Sequence, residues 1–265
     1  YYTRGNHMKH KENVKVISQE RLADGVYSMW LQTADIAKDS VAGQFISLYC
    51  QDKSTLLPRP ISIGKVDREK NALRIVYRVV GKGTDEFSKY EAGQEIPVLG
   101  PLGNGFFKKE KSAMLIAGGI GIPPMLELAK ELKEMGISDI KIVAGYRDSQ
   151  MFLKDDLSQY GTVYVATEDG SFGTKGNVIN AIEENNLSAD VIYSCGPTPM
   201  LRAVKEFGIK NNIETQISME EKMACGLGAC LACVCKSKDV DDYSHVHNKR
   251  ICADGPVFYA EEVEL

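Results

Sequence analysis

The last roughly fifty residues have almost no hydrophobic periodicity, yet they hold five of the chain's seven cysteines. A segment that small cannot bury enough apolar surface to fold alone and needs a metal centre to organise it. The cysteines supply one. Cys225-Gly-Leu-Gly-Ala-Cys230-Leu-Ala-Cys233, followed at a distance by Cys252, has the C-x4-C-x2-C…C spacing of plant-type 2Fe–2S ligands. Gly226 and Gly228 let the backbone curl so that thiolates and amide N–H groups face one inorganic core. The chain therefore reads first as an electron carrier, and what lies upstream should feed or drain the cluster.

Other uses of these cysteines fit less well. A structural zinc site favours two short C-x2-C pairs, and only Cys230 and Cys233 are so spaced. A disulfide framework needs an oxidising compartment. With no secretory leader and no bilayer-length apolar run, a cytoplasmic location is expected. Cys235 competes with Cys252 as fourth ligand. Cys252 lies in the turn-forming Arg250-Ile-Cys-Ala-Asp-Gly-Pro256, a stretch suited to bringing a distant thiolate back. Cys252 is preferred. His245 and His247 lack the flanking of a Rieske centre and read as solvated loop residues.

At 265 residues and a formal charge of −4, the chain suits two modest domains and an appendage. It offers no basic stripe for nucleic acid and no cationic amphipathic helix for a membrane. Residues 1–7 read as a cloning remnant. From 8 to 103 short β-rich runs recur between turns, as in Val26–Leu31, Phe45–Tyr49 and Leu73–Val80, with one helix expected at Thr84–Tyr90. This predicts a small antiparallel barrel. From 104 to 216 strands alternate with helices: Ala113–Ala117, helix Pro123–Met135, Ile140–Ala144, Val163–Ala166, Val191–Ser194 and helix Thr198–Asn211. That alternation predicts a doubly wound parallel sheet. Residues 217–265 form the cluster segment. The fold class is thus β barrel plus α/β, with a small C-terminal 2Fe–2S domain.

Four motifs carry further chemistry. Arg59-Pro60-Ile61-Ser62 opens a strand after Pro58, with an arginine to neutralise a pyrophosphate and a serine for a flat ring edge. In Val80-Gly-Lys-Gly83-Thr84, glycines precede an expected helix start that presents free N–H groups to an anion; Val76-Tyr77-Arg78 lies beside it. Gly118-Gly119-Ile-Gly121-Ile-Pro-Pro124 follows a buried strand and opens a helix, where a nucleotide's phosphates sit in such sheets. Ser194-Cys195-Gly196-Pro197 is a second turn of that kind, and Cys195 is either a soft contact for a nicotinamide ring or a buried strand-end cysteine.

Taken in order, these motifs and the cysteines resemble the ferredoxin-reductase superfamily, a flavin-binding barrel followed by a nicotinamide-nucleotide domain. The segment Met223–Cys233, closed by Cys252-Ala-Asp-Gly-Pro-Val-Phe258, resembles one branch, the electron-transfer subunits of class 1B dihydroorotate dehydrogenase. The resemblance spans Met8 to Leu265. It implies FAD held through Arg59 to Ser62, Val76 to Arg78, Gly83 and Thr84, NAD at the two glycine turns, and cluster ligation by Cys225, Cys230, Cys233 and Cys252. It also implies an FMN-containing catalytic partner that oxidises dihydroorotate for pyrimidine biosynthesis, in a heterotetramer of two of each subunit. Cys235 has no place in that scheme.

The expected route runs from the partner's FMN through the cluster to FAD and then to NAD+, because a flavin handles both single electrons and hydride. Asp148, next to Arg147, would repel a 2′-phosphate, which favours NAD over NADP. Related subunits of a transhydrogenase, a sulfide- or glutamate-linked reductase or a hydrogenase share these motifs. A redox sensor would need no hydride port, and a zinc-stabilised adaptor would hold no iron.

Overall fold

The computed structural model describes residues 8–240 and 245–265; the segment read as a cloning remnant lies outside them. Six antiparallel strands close a barrel: β1 (His10–Ala23), β2 (Val26–Gln32), β3 (Phe45–Leu48), β4 (Arg59–Asp67), β5 (Ala72–Arg78) and β6 (Glu95–Leu102), in the order β1-β2-β5-β4-β3-β6. Alternation along the strands fills it. Met29 and Leu31 of β2 point inward beside Ile46, Ile63, Ile75 and Tyr77, while Trp30 points out under Arg74. Two short helices, α1 (Asp35–Asp39) and α2 (Lys82–Phe87), contribute Ile36 and Phe87 to the same core.

The second unit is a seven-stranded sheet. Its strands are β7 (Ala113–Gly118), β8 (Ile140–Tyr146), β9 (Thr162–Thr167), β10 (Thr174–Lys175), β11 (Val191–Cys195), β12 (Glu214–Ser218) and β15 (Val257–Tyr259), in the order β10-β9-β8-β7-β11-β12-β15. All but β15 run parallel. Central β7 is buried on both faces: Ala113, Leu115 and Ala117 pack toward α3 (Ile122–Glu134), and Met114 and Ile116 toward α5 (Val178–Glu184) and α6 (Thr198–Asn211). This is why the strand reads as an unbroken apolar run. A shorter α4 (Lys154–Ser158) lies on the α3 side. The 3₁₀ turn Gly119–Gly121 joins β7 to α3.

Three strands of this sheet, β10, β12 and β15, lie outside the predicted set. Strand β12 extends the sheet through Glu214–Ser218. Then β15, arriving from beyond the cysteines, adds antiparallel to it with Ser218 opposite Val257. In the cluster segment β13 (Val234–Lys236) pairs with β14 (Asn248–Arg250). One apolar core joins all three units: Phe45 and Leu102 of the barrel, Leu201 and Ile217 of the sheet domain, and Cys233, Ile251, Cys252 and Phe258 of the cluster segment.

Candidate functional site

The cysteine loop turns on backbone that only a few residues tolerate. Gly226 and Gly228 have φ of +68° and +87°, and a Cβ on Gly228 would lie 2.8 Å from that of Ala253. The thiols fall into two pairs. Cys225 interacts with Cys230, and the Leu227 N–H donates to the Cys225 sulfur at 3.3 Å. Cys233 and Cys252 are buried together, the Cys252 N–H lying 3.4 Å from the Cys233 sulfur. Burial and then the neighbouring Cys233 thiol push Cys252 up to about 12. Burial also raises Cys225, but the N–H groups of Leu227, Cys230 and Ala229 outweigh it and bring the thiol down to about 6.

Among the described residues no three such side chains converge as ligands of a single ion. A di-iron cluster needs four thiolates in two pairs, and this donor set fits it. Cys235 stands opposite Lys249 in the β13–β14 ladder, and its thiol is pushed up to about 11 by burial. His245 and His247 are exposed, with His247 Nδ1 2.8 Å from the Lys238 carbonyl oxygen.

At the barrel, Arg59 donates from Nη1 to the Leu57 carbonyl at 2.8 Å. Its side chain lies across Gly83, where a Cβ would meet the Arg59 Nε at 2.6 Å. A guanidinium thus sits over the first turn of α2, a combination suited to a diphosphate. Pro60, Ile61 and Ser62 follow on β4, half-buried.

One expectation needs correction here. The helix starts earlier than Thr84, at Lys82 with Gly81 as N-cap, because the Thr84 hydroxyl turns back to accept from the Val80 and Gly81 N–H groups at 2.9 and 3.2 Å. The Tyr77 side chain points into the barrel, donating to Gln19 Oε1 at 2.7 Å, and Val76 packs in the apolar core shared with α3. Of that trio, Arg78 keeps a partly exposed side chain.

The two glycine turns of the sheet domain lean on each other. A Cβ on Gly121 would strike the Cys195 carbonyl and lie 2.6 Å from the Gly196 nitrogen; one on Gly118 would reach the Met200 sulfur at 2.7 Å. Gly119, at φ +54°, faces open space, so backbone there is accessible to a phosphate at the head of the thirteen-residue α3. Pro197 is exposed and Gly196 buried. Cys195 is 0 % exposed and its thiol is raised by burial. It forms the floor of the turns and presents no surface to a nicotinamide ring. Asp148, half-buried after β8, accepts from the Gln150 N–H at 2.8 Å.

These three places are adjacent. The position of a Gly226 Cβ lies 3.2 Å from the Ser47 hydroxyl, and Ser47 stands opposite Pro60 in the β3–β4 ladder. Further along β4, a Cβ on Gly64 would touch Pro123 of α3 at 3.5 Å. Residues that carry this contact were not visible as motifs. Glu127, Lys130 and Glu131 look like an ordinary polar face of α3, yet both glutamates are buried against the barrel.

Comparison with known proteins agrees with this arrangement. A family model described as the iron-sulfur cluster binding domain of dihydroorotate dehydrogenase B matches residues 220–264, and an oxidoreductase NAD-binding domain matches 115–206. The dihydroorotate dehydrogenase B (NAD(+)) electron transfer subunit of Listeria monocytogenes is 44% identical over 257 residues, covering 95% of this chain and 98% of that protein. Its namesake from Fusobacterium nucleatum is 41% identical over 263 residues, covering 96% and 98%. Among solved structures, that of an NADH-dependent reduced ferredoxin-NADP oxidoreductase superposes with a TM-score of 0.86 at 28% identity, covering 96% of this chain and 90% of that one. By sequence over nearly its whole length, the chain belongs to the family of dihydroorotate dehydrogenase B (NAD(+)) electron transfer subunits.

Proposed function

We propose that this chain links a catalytic partner, which oxidises dihydroorotate, to NAD+, with the cluster, flavin and nicotinamide sites in that spatial order. The observation that carries the order is the ladder position of Pro60. Its β3 neighbour Ser47 touches the cysteine loop, and its own strand touches the head of α3. When bound, the cluster supplies one-electron transfer, FAD interconverts single electrons and hydride, and NAD carries hydride.

The residues divide the remaining work. Cys225, Cys230, Cys233 and Cys252 hold the cluster. Arg59 neutralises the flavin diphosphate over Gly83, Ser62 donates to the ring edge, and the backbone of Val76–Arg78 and Thr84 shapes the same site. Gly118, Gly119 and Gly121 seat the nucleotide's phosphates at the α3 N-terminus, with Gly196 and Pro197 opposite them. Cys195 supports both turns from below. The partner holds FMN, in a heterotetramer of two of each subunit located in the cytoplasm; family resemblance supports this part of the reading.

The test is dihydroorotate-driven NAD+ reduction by the native complex, isolated through this subunit. Activity that disappears in Cys230→Ser, with the complex still assembled and FAD still bound, is the expected result. A complex that is bleached by NADH but inert to dihydroorotate would refute the assigned substrate.

A further inference from the structure

We infer that Glu127 and Lys130 of α3 form a positioning clamp. It fixes the Gly118–Gly121 turn against the strand that carries Arg59–Ser62, and so sets the approach of nucleotide to flavin. The inference rests on the function proposed above. It starts from an incomplete sheet. Pairing of β3 with β4 ends at Phe45 opposite Ser62, but β4 continues to Asp67, leaving backbone groups on that edge without a strand partner. Two side chains take the strand's place. The Glu127 carboxylate accepts from the Val66 N–H at 2.8 Å, and the Lys130 ammonium donates to the Val66 carbonyl at 2.6 Å. The pair is also joined directly, Nζ to Oε1 at 3.3 Å.

Glu127 is 0 % exposed. A buried ion pair contributes little net stability over an apolar replacement, so its value here is geometric. The arms from clamp to sites are short and stiff. Val66 is four residues past Ser62, about 13 Å of strand. Glu127 is six residues past Gly121, about 9 Å of helix. Other contacts cross the same interface: Glu131 accepts the Ala42 N–H at 3.1 Å, Asp156 pairs with Arg74 at 3.3 Å and Gln150 accepts the Asp24 N–H at 2.9 Å. They hold the units together, whereas the Val66 clamp lies on the elements that bear the two sites. Misplacing reacting groups by about 1 Å lowers a rate by about a hundredfold.

The experiment uses the whole complex and follows anaerobic bleaching of its flavin by saturating NADH, together with FAD content, the KM for NADH and hydrogen exchange at the Val66 amide. Glu127→Ala should slow bleaching at least tenfold and deprotect Val66, with FAD content and KM within about twofold of wild type. Glu127→Gln keeps an oxygen acceptor and should recover most of the rate. Lys130→Met leaves the Val66 N–H bond intact, giving an intermediate rate, and serves as the readout where Glu127→Ala does not fold. Unchanged bleaching in Glu127→Ala, or a rate that falls only in step with lost FAD, overturns the clamp alone. A wild-type complex that NADH fails to bleach overturns the proposed function with it.

Discussion

Replacing Asp254 should release the cluster without disturbing the rest of the protein. Its carboxylate closes the turn that carries Cys252. It accepts from the Arg250 backbone N–H at 2.7 Å and from Nε and Nη2 at 2.9 and 3.0 Å, while Arg250 Nη1 reaches back to the Gly228 carbonyl at 3.4 Å. One ion pair therefore ties the fourth cysteine to the loop bearing the other three. The side chains are 18% and 13% exposed, so the pair is largely but not wholly desolvated. Breaking a fully buried pair costs about 3–5 kcal/mol, and an exposed one under about 1. For this geometry about 3 kcal/mol is reasonable, which multiplies the open population of the turn by roughly a hundred. In Asp254→Ala, visible absorbance of the cluster should decay roughly a hundred times faster under an iron chelator, if cleavage follows opening. FAD absorbance should persist. Decay at the wild-type rate would show that the turn is held by something else and would refute the reasoning.

Four further outcomes follow from the packing. Gly121→Ala should lower Tm by about 5–10 °C, because the added methyl meets Cys195 and Gly196 backbone and overpacking costs about 2–3 kcal/mol. Gly83→Ala should weaken FAD binding about tenfold in equilibrium dialysis by displacing Arg59, with little change in Tm. Burial raises the Glu127 carboxyl from its ordinary 4.5 to about 7 despite Lys130; because the folded value lies above the unfolded one, folding stability falls as pH rises through about 7. Chemical denaturation should find wild type losing about 1 kcal/mol more than Glu127→Gln between pH 6 and 8. Phe258→Ala should cost about 3–5 kcal/mol and loosen the cluster segment before the barrel, as seen by iron loss preceding FAD loss.

How much of this was legible depended on whether the signal was local. The barrel strands and the βα alternation announce themselves because alternation on β2 and the two-sided burial of β7 leave direct marks in the sequence. The glycine turns were visible too, since Gly119 and Gly228 adopt backbone angles that other residues resist. Strand β15 was not, because three residues entering antiparallel at a sheet edge carry no period. Burial of Cys195 was one of two readings of that residue, and the Gly118–Gly121 turn lying across it from another part of the chain decides for it. Thr84 misled for a related reason: a threonine before a helix usually caps it, whereas here Gly81 caps and the threonine bonds backward. Glu127 and Lys130 have the spacing of a surface pair on any helix, and their meaning comes only from the open edge of β4.

Long-range packing also explains why the cluster segment follows the nucleotide domain in the chain yet lies against the barrel. Strand β15 docks on β12, which anchors the segment's end to the sheet. The shared core of Phe45, Leu102, Ile217, Cys233, Cys252 and Phe258 then folds its cysteine loop back over β3 and β6. Asn104 reinforces the fold-back, donating to the carbonyls of Ala253 and Asp254 at 3.0 and 3.1 Å. A cluster at the far edge of the sheet would be separated from Arg59 by several strands, at roughly 5 Å per strand. Fold-back replaces that span with one ladder step from Ser47 to Pro60. The barrel is thereby placed between the other two sites, the position a carrier converting single electrons to hydride has to occupy.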